Sequence, residues 1–444
     1  MRKTFSMGGV HPNDSKISAD SAIEVFPILE RVYISMSQHL GAPAKPIVQK
    51  GDKVKTGELI ATANGFISAN IHSSVSGTVV AVEPYKDMMG NLTTHVIIDV
   101  EGDEWVESID RSPEVVREIK LASSDIIKRI GDCGIVGMGG ASFPTHVKLA
   151  PPPGKKAEVL IINGAECEPY LTSDYRLMLE HPEEVLIGAK IMMKALGVAK
   201  GYIGIEENKP KAIEKLLSFS SQYPDIEVVA LKMKYPQGGE KQLIEAITSK
   251  QVPSMGLPID VGAVVQNCGT AFAVYQAVQK NKPLFEGVVT ITGDCTEQQR
   301  NFLIRVGTPF EKILDKVGRL PQSAAKLISG GPMMGKAVSN ISATTVKSSS
   351  ALLLLTDEQT KRHPEGECIR CAKCLQVCPM GLEPYLLNKL ARQGRNEELE
   401  KERVYDCIEC GSCMYTCPAN IYLLDYIRMA KADVLKIMRS RPKK

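Results

Sequence analysis

Hydrophobic and polar positions follow different rhythms in different parts of the chain. Between residues 41 and 83 apolar and polar residues alternate, broken by short turns such as "KGDKVKTGE" and "SSVSGTV". That period of two is the signature of short strands closing into a small β-barrel. Further on the period lengthens. "SSDIIKRIGDC" has helical spacing behind a Ser placed to cap it. Three apolar runs follow, in "AEVLIINGAE", "GYIGIEENKPKAIEKL" and "VVQNCGTAFAVYQAV", each read as a strand that ends in polar residues. Residues 285–336 show strand, helix and strand before a "GGPMMG" turn. Near the C-terminus "MGLEPYLLNKLARQGRNEELEKERVYD" is a helical connection between two cysteine-rich segments. The elements predict a multidomain α/β and α+β protein. With domains of ~100–150 residues, three or four units are expected.

Composition narrows the function classes. The 444 residues are 43% hydrophobic and 24% charged, and 54 basic residues against 51 acidic leave a net charge of +3. That balance argues against nucleic acid as a partner. The closing "RSRPKK" reads as a frayed end. Runs such as "ALLLL" and "AEVLII" fall short of the ~20 residues of a membrane span. The opening "MRKTFSMGGVHPNDSK" has no apolar segment behind its basic residues, so no signal peptide is expected. The chain is expected to be soluble, or peripheral to a membrane at most.

Twelve cysteines change the picture. Eight form two ladders, each C-x2-C-x2-C-x3-C-P: Cys368, Cys371, Cys374, Cys378 with Pro379, and Cys407, Cys410, Cys413, Cys417 with Pro418. Structural zinc sites use two cysteine pairs separated by a longer loop. Three thiolates two residues apart can instead wrap one Fe–S cube, and in two-cluster ferredoxins the fourth crosses to the other cluster. This assigns Cys368, Cys371, Cys374 and Cys417 to one [4Fe–4S] cluster. Cys407, Cys410, Cys413 and Cys378 take the other. The scattered Cys133, Cys167, Cys268 and Cys295 read as small buried hydrophobes.

A glycine loop, "GIVGMGGASFPTHVKL", would let backbone N–H groups at Gly134, Gly137, Gly139 and Gly140 approach a phosphate. It follows a helix and precedes the first convincing strand, the reverse of a dinucleotide fingerprint. The strand ends that come next carry Asn163, Glu166 and Glu168, then Glu206, Glu207 and Asn208, then Asn267 and Thr270. Any one of these is a helix cap by default. Recurrence at three strand ends points to a polar crevice.

These segments resemble the flavin- and NADH-binding subunit of respiratory complex I. The resemblance implies FMN and NAD(H) as cofactors. It makes Gly137, Gly139, Lys148, Asn163, Glu206, Glu207, Asn267 and Thr270 the FMN contacts, with Gly140 in the same loop. Phe143 would lie near the nicotinamide or adenine, and Glu166 beside the nicotinamide. Glu166 and Glu168 would orient the nucleotide and tune the flavin. Two features depart from that family: a loop poorer in Arg and Gly, and Cys167 in the acidic turn. The barrel resembles biotinyl and lipoyl carriers, but its "NIHSSVSG" turn lacks the carrier Lys, so a structural role is expected. Residues 285–336 resemble a β-grasp module, with Met333 and Met334 in a packed turn.

The order of these parts, together with "GGVHP", "QHLGAPAKPIV" and "FPTHVKLAPP", is similar to the C-subunit family of the Rnf complex. The implied domains are 1–115 with a barrel-sandwich hybrid at about 35–100, a Rossmann-like FMN/NADH domain at 116–280, a β-grasp module at 281–345 and a two-cluster ferredoxin-like helical domain at 355–435. The family implies a peripheral subunit on the cytoplasmic side of the cell membrane. Its partners would be other Rnf subunits, including a ferredoxin-like iron–sulfur subunit, in an enzyme that moves Na+ or H+ while exchanging electrons between ferredoxin and NAD. Two alternatives share some of the parts: a flavin/iron–sulfur cobalamin (corrin) reductase, and a flavin-less electron-relay subunit. The N-terminal barrel and "GGVHP" opening favour the Rnf family over the first, and recurrent pocket residues disfavour the second.

Overall fold

The computed structural model describes residues 2–318 and 324–441. Residues 319–323 of the expected third module and the last three of the basic tail lie outside the described residues. The period-two stretch forms two small antiparallel sheets. One orders Arg31–Ser35, Leu92–Val100, Gly77–Lys86 and Lys53–Val54; the other orders Lys45–Pro46, Leu59–Thr62 and Ile71–His72. Alternate residues turn inward, so Val32, Ile34, Ile60, Ile71, Val79 and Ile98 make a common core. Val306, from a later module, completes that core. The Ser74 hydroxyl donates to the Val306 carbonyl at 2.6 Å. His72 is buried here, and burial pushes its imidazole down to about 3.

The next unit is a sheet of four parallel strands in the order Ile226–Leu231, Lys200–Glu206, Val159–Asn163, Ala263–Asn267. Helices cover both faces, which is why the strands are nearly continuous apolar runs rather than alternating ones. Helices Pro182–Leu196 and Cys268–Gln279 pack so closely that a β-carbon on Gly188 would lie 1.9 Å from the Ala271 carbonyl oxygen. Strand order reverses between Val159–Asn163 and Ala263–Asn267. Open α/β sheets bind ligands at such a reversal, beyond the carboxyl ends of the strands. The helix Ser123–Asp132 forms as expected, but Ser123 does not cap it; its hydroxyl bonds the Lys194 carbonyl at 2.8 Å.

A six-stranded mixed sheet follows, ordered Ile23–Val25, Arg300–Arg305, Glu286–Thr292, Ala351–Thr356, Ala324–Ser329, Lys336–Ala337, with the helix Phe310–Lys316 packed on it. It differs from the expected 281–345 module at both ends. The "ALLLL" run is an interior strand beyond residue 345, apolar throughout because the sheet is covered on both faces. The N-terminal residues Ile23–Val25 add an edge strand parallel to Arg300–Arg305.

The C-terminal unit packs helices Pro384–Arg392 and Leu423–Ser440 around the two ladders. The ladders are conformational copies. Arg370 and Ala372 in the first are left-handed, and so are Glu409 and Gly411 at matching places in the second. Each ladder ends in a short helical turn, Lys373–Gln376 or Ser412–Tyr415. Among the described residues no helix is long and apolar enough to cross a membrane.

Candidate functional site

The crevice is built at the reversal of strand order. Asn163 and Asn267 end adjacent strands, and their Cα atoms are in register. Asn267 caps the helix Cys268–Gln279 by accepting from the Thr270 N–H at 3.2 Å, and its Nδ2 donates to Asp174 Oδ2 at 2.6 Å. Asn163 Nδ2 donates to the Gly238 carbonyl at 2.8 Å. The glycine loop closes on itself through a 2.9 Å bond from the Gly137 N–H to the Phe143 carbonyl. It leans on the same helix end: the Met138 N–H donates to Thr270 Oγ1 at 2.9 Å, and a β-carbon on Gly139 would lie 2.8 Å from Asn267 Nδ2. Gly140 faces open space, with nothing within 4 Å of where its β-carbon would be. Lys148 Nζ is held by Glu240 at 2.7 Å and by the Val265 carbonyl at 3.2 Å. Gly137, Gly139, Gly140, Phe143, Lys148, Asn163, Asn267 and Thr270 therefore meet at one edge.

That edge offers a helix N-terminus, a glycine loop with an open side and an ammonium group, the chemistry of a phosphate site. Gln237 and Gln266, buried on the loops and strand around it, each keep an amide nitrogen without a protein partner. The donor set fits a phosphate-bearing cofactor with hydrogen-bond acceptors, as FMN is.

Each of the four glutamates has partners within the chain. Glu166 sits in left-handed backbone and its carboxylate accepts from the Asp174 N–H at 2.8 Å and the Tyr175 N–H at 3.3 Å, which satisfies the start of helix Ser173–Glu180. Glu168 accepts from the Met333 and Met334 N–H groups at 3.0 and 2.7 Å, and burial pushes its carboxyl up. It anchors the "GGPMMG" turn. Both side chains accept from backbone N–H groups of the fold. Glu206 and Glu207 end the strand Lys200–Glu206, which lies outside the reversal. Glu206 accepts from the Lys234 N–H at 3.3 Å and lies 3.7 Å from Lys209 Nζ; Glu207 accepts from the Met233 N–H at 3.3 Å and pairs with Arg2. Glu206 lines a pocket with His11, Lys16, Cys167 and Tyr235.

Cys378, Cys407, Cys410 and Cys413 line a single cavity walled by Leu382, Leu387, Leu424 and Ile427. The fourth cysteine of the first ladder therefore lines the same cavity as three cysteines of the second. Burial and neighbouring thiols push Cys407 up to about 11. Among the described residues no three or more of His, Cys, Asp and Glu are placed to hold a single metal ion. Four thiols around one apolar cavity fit a [4Fe–4S] cluster. On the other side the Gly366 N–H donates to the Ala419 carbonyl at 2.8 Å and the Tyr422 N–H to Glu365 at 2.8 Å. These bonds tie the approach to Cys368 to the residues just past Cys417. Cys368 and Cys371 are exposed, whereas Cys410 is buried.

Three family descriptions match along the chain: "RnfC Barrel sandwich hybrid domain" over residues 3–103, "Nuo51 FMN-binding domain" over 130–276 and "4Fe-4S dicluster domain" over 360–423. The chain is 48% identical over 405 residues to the C subunit of the proton-translocating ferredoxin:NAD(+) oxidoreductase complex of Clostridium ljungdahlii, covering 90% of this chain and 87% of that protein. It is 43% identical over 430 residues to the C subunit of the Na(+)-translocating ferredoxin:NAD(+) oxidoreductase complex of Acetobacterium woodii, covering 96% of each. The chain belongs to the C-subunit family of the Rnf complex. The C subunit of the ion-translocating oxidoreductase complex of Rhodobacter capsulatus is a further relative, 40% identical over 436 residues, with 97% of this chain and 83% of that protein covered.

Several site residues of this Rnf-family chain were not singled out from sequence. The "YPQGGE" segment contributes Gly238 to Asn163 and Glu240 to Lys148. Its signal was present: two glycines between a strand and a helix, the same grammar as the first loop. Asp174, beside Asn267, is pushed up to about 7 by burial and by Glu166, although its bond from Asn267 pulls the other way. Lys16 reaches from the N-terminal segment to donate to the carbonyls of Glu166, Glu168 and Leu171 at 2.8, 2.8 and 2.7 Å, and burial pushes it down to about 8. Nothing local marks a lysine for that task. Of the scattered cysteines, Cys133, Cys268 and Cys295 are buried as expected; Cys167 is half-buried and its sulfur accepts from the Gly238 N–H at 3.3 Å.

Proposed function

We propose that this chain is the NAD(H)-handling electron-transfer subunit of an ion-translocating ferredoxin:NAD oxidoreductase. FMN sits in the crevice of Gly137, Gly139, Lys148, Asn163, Asn267 and Thr270. An inner [4Fe–4S] cluster is held by Cys407, Cys410, Cys413 and Cys378, and an outer one by Cys368, Cys371, Cys374 and Cys417. When bound, FMN joins two-electron hydride exchange with NAD(H) to the one-electron exchange that a [4Fe–4S] cluster performs. The chain's own residues bind, orient and space these groups. Lys148 and the start of helix Cys268–Gln279 neutralise phosphate. Glu166 and Glu168 act indirectly, by shaping the turn beside the crevice.

The observation that carries the order FMN, inner cluster, outer cluster is one loop with two contacts. Tyr235 donates its hydroxyl to the Cys410 carbonyl at 2.9 Å, and Gly238, three residues on, accepts from Asn163. The exposed Cys368 and Cys371 then face the partner, an iron–sulfur subunit of the same complex. The chain lies at the membrane surface on its cytoplasmic side, and ion movement belongs to membrane-spanning subunits. The test is an anaerobic absorbance spectrum with iron and flavin assays before and after NADH. About eight irons and one FMN per chain, bleached by NADH, are expected. Iron without flavin, and a spectrum unmoved by NADH, would leave only a relay.

A further inference from the structure

The "GGVHP" opening has no part in the crevice or the ladders, yet it runs between them. We propose that the N-terminal arm, residues 3–16, is a positioning element that sets the separation between the flavin crevice and the inner cluster. The proposal rests on the electron path given above. On one side the arm pairs with the parallel-sheet domain. The Lys3 N–H donates to the Ala230 carbonyl at 3.3 Å, and Val10 exchanges two 2.8 Å backbone bonds with Tyr235. On the other side it pairs with the first ladder, where the Gly9 N–H donates to the Val377 carbonyl at 2.9 Å.

Two glycines make the double contact possible. Both have positive φ, +68° at Gly8 and +92° at Gly9. A β-carbon on Gly8 would lie 2.5 Å from the Cys378 carbonyl carbon and 2.7 Å from Pro379 N; one on Gly9 would lie 2.9 Å from the Tyr235 carbonyl oxygen. These are backbone atoms, so no rotamer change relieves the clash. The side chain of Val10 packs with Tyr235 and Cys410, filling the gap between crevice loop and cluster cavity. Further along, Lys16 binds the carbonyls of the acidic turn. The arm therefore touches a cluster ligand's backbone, the bridging tyrosine and the turn beside the crevice in one short run. Direct contacts across the same joint exist, such as Gln242 Nε2 to the Pro379 carbonyl at 3.2 Å. The arm fixes how closely they can close.

The experiment compares the wild-type chain, loaded with flavin and iron, with Gly8→Ala, Val10→Ala and Gly51→Ala. Gly51 is a matched control: its φ is +96° and nothing lies within 4 Å of its β-carbon position. Stopped-flow absorbance separates flavin reduction by NADH from arrival of electrons at the clusters, and hydrogen exchange reports amides 235–242 and 377–381. In Gly8→Ala, flavin reduction keeps its wild-type rate, cluster reduction slows about tenfold, and those amides exchange faster. Gly51→Ala shows neither change. Val10→Ala, which leaves the backbone path intact, shows a smaller slowing and serves if Gly8→Ala loads poorly. Wild-type cluster reduction and unchanged exchange in a fully loaded variant would overturn the proposal. Should NADH fail to reduce flavin in the wild-type chain, the electron path falls. Exchange alone then decides on the arm: faster at 377–381 in Gly8→Ala supports it, unchanged overturns it.

Discussion

The two cysteine ladders have the same spacing and the same left-handed positions, yet they occupy opposite environments. In the second, Cys410 is buried against Tyr235, and Glu409 is clamped by Lys431 at 2.9 Å and Arg428 at 2.8 Å. In the first, Cys368 and Cys371 are exposed, and Arg370 stands where Glu409 stands in the other. A repeated ligand motif specifies the loop but not its role; the neighbouring domain does that. One copy looks inward to the flavin crevice and the other outward, so the pair has a direction.

Four changes at the ladders and one at the bridging tyrosine test that polarity. The largest effect belongs to Cys410→Ser. Iron falls from about eight to about four per chain, and NADH then reduces flavin without electrons reaching the remaining cluster. Cys371→Ser removes the same amount of iron but leaves the inner cluster reducible by NADH. Electron paramagnetic resonance with iron analysis distinguishes the two. Cys378→Ser comes next: although it belongs to the first ladder, it removes the inner signal and spares the outer one. Loss of the outer signal instead would refute the crossover. Arg370→Glu lowers the reduction potential of the outer cluster and leaves the inner one unmoved, because added negative charge beside a cluster disfavours its reduction. Redox titration reads this, with a shift that shrinks as salt screens the exposed site. The smallest effect is that of Tyr235→Phe. It deletes one buried hydrogen bond worth about 1 kcal/mol and slows transfer to the inner cluster modestly, measured by thermal unfolding and stopped-flow absorbance.

What the sequence made legible was what is local. Cysteine spacing is fixed by the cluster the loop wraps, so a dicluster segment could be read without knowing the fold. Asn267 was legible as a helix cap, and the recurrence of polar residues at successive strand ends drew attention to Asn163 beside it. The partners of the glutamates were not legible in the sequence, for a physical reason. A carboxylate satisfies buried N–H groups as well as it orients a ligand, and only the fold shows that Glu166 faces a helix start and Glu168 a turn about 165 residues away. Glu206 and Glu207 stand at the end of the strand beside Val159–Asn163, and their bonds from the Lys234 and Met233 N–H groups could not be read from the sequence. The arm was opaque because its pairings with Leu231 and Tyr235 are isolated bridges with no periodicity, and Ile23–Val25 is too short to alternate.

The borrowed Val306 in the barrel core has a consequence for synthesis. The barrel is translated early, but the residue that seals it lies 232 positions beyond Ser74, to which it is bonded. The edge strand Ile23–Val25 waits longer still for Arg300–Arg305, and Gly9 waits for Val377 in the last domain. Such distant pairings make folding slow and leave apolar surface uncovered on the nascent chain. The first segments to leave the ribosome are thus the last to be finished. A truncated barrel ending near residue 103 would expose the seat of Val306, whereas a chain released after residue 306 could close it.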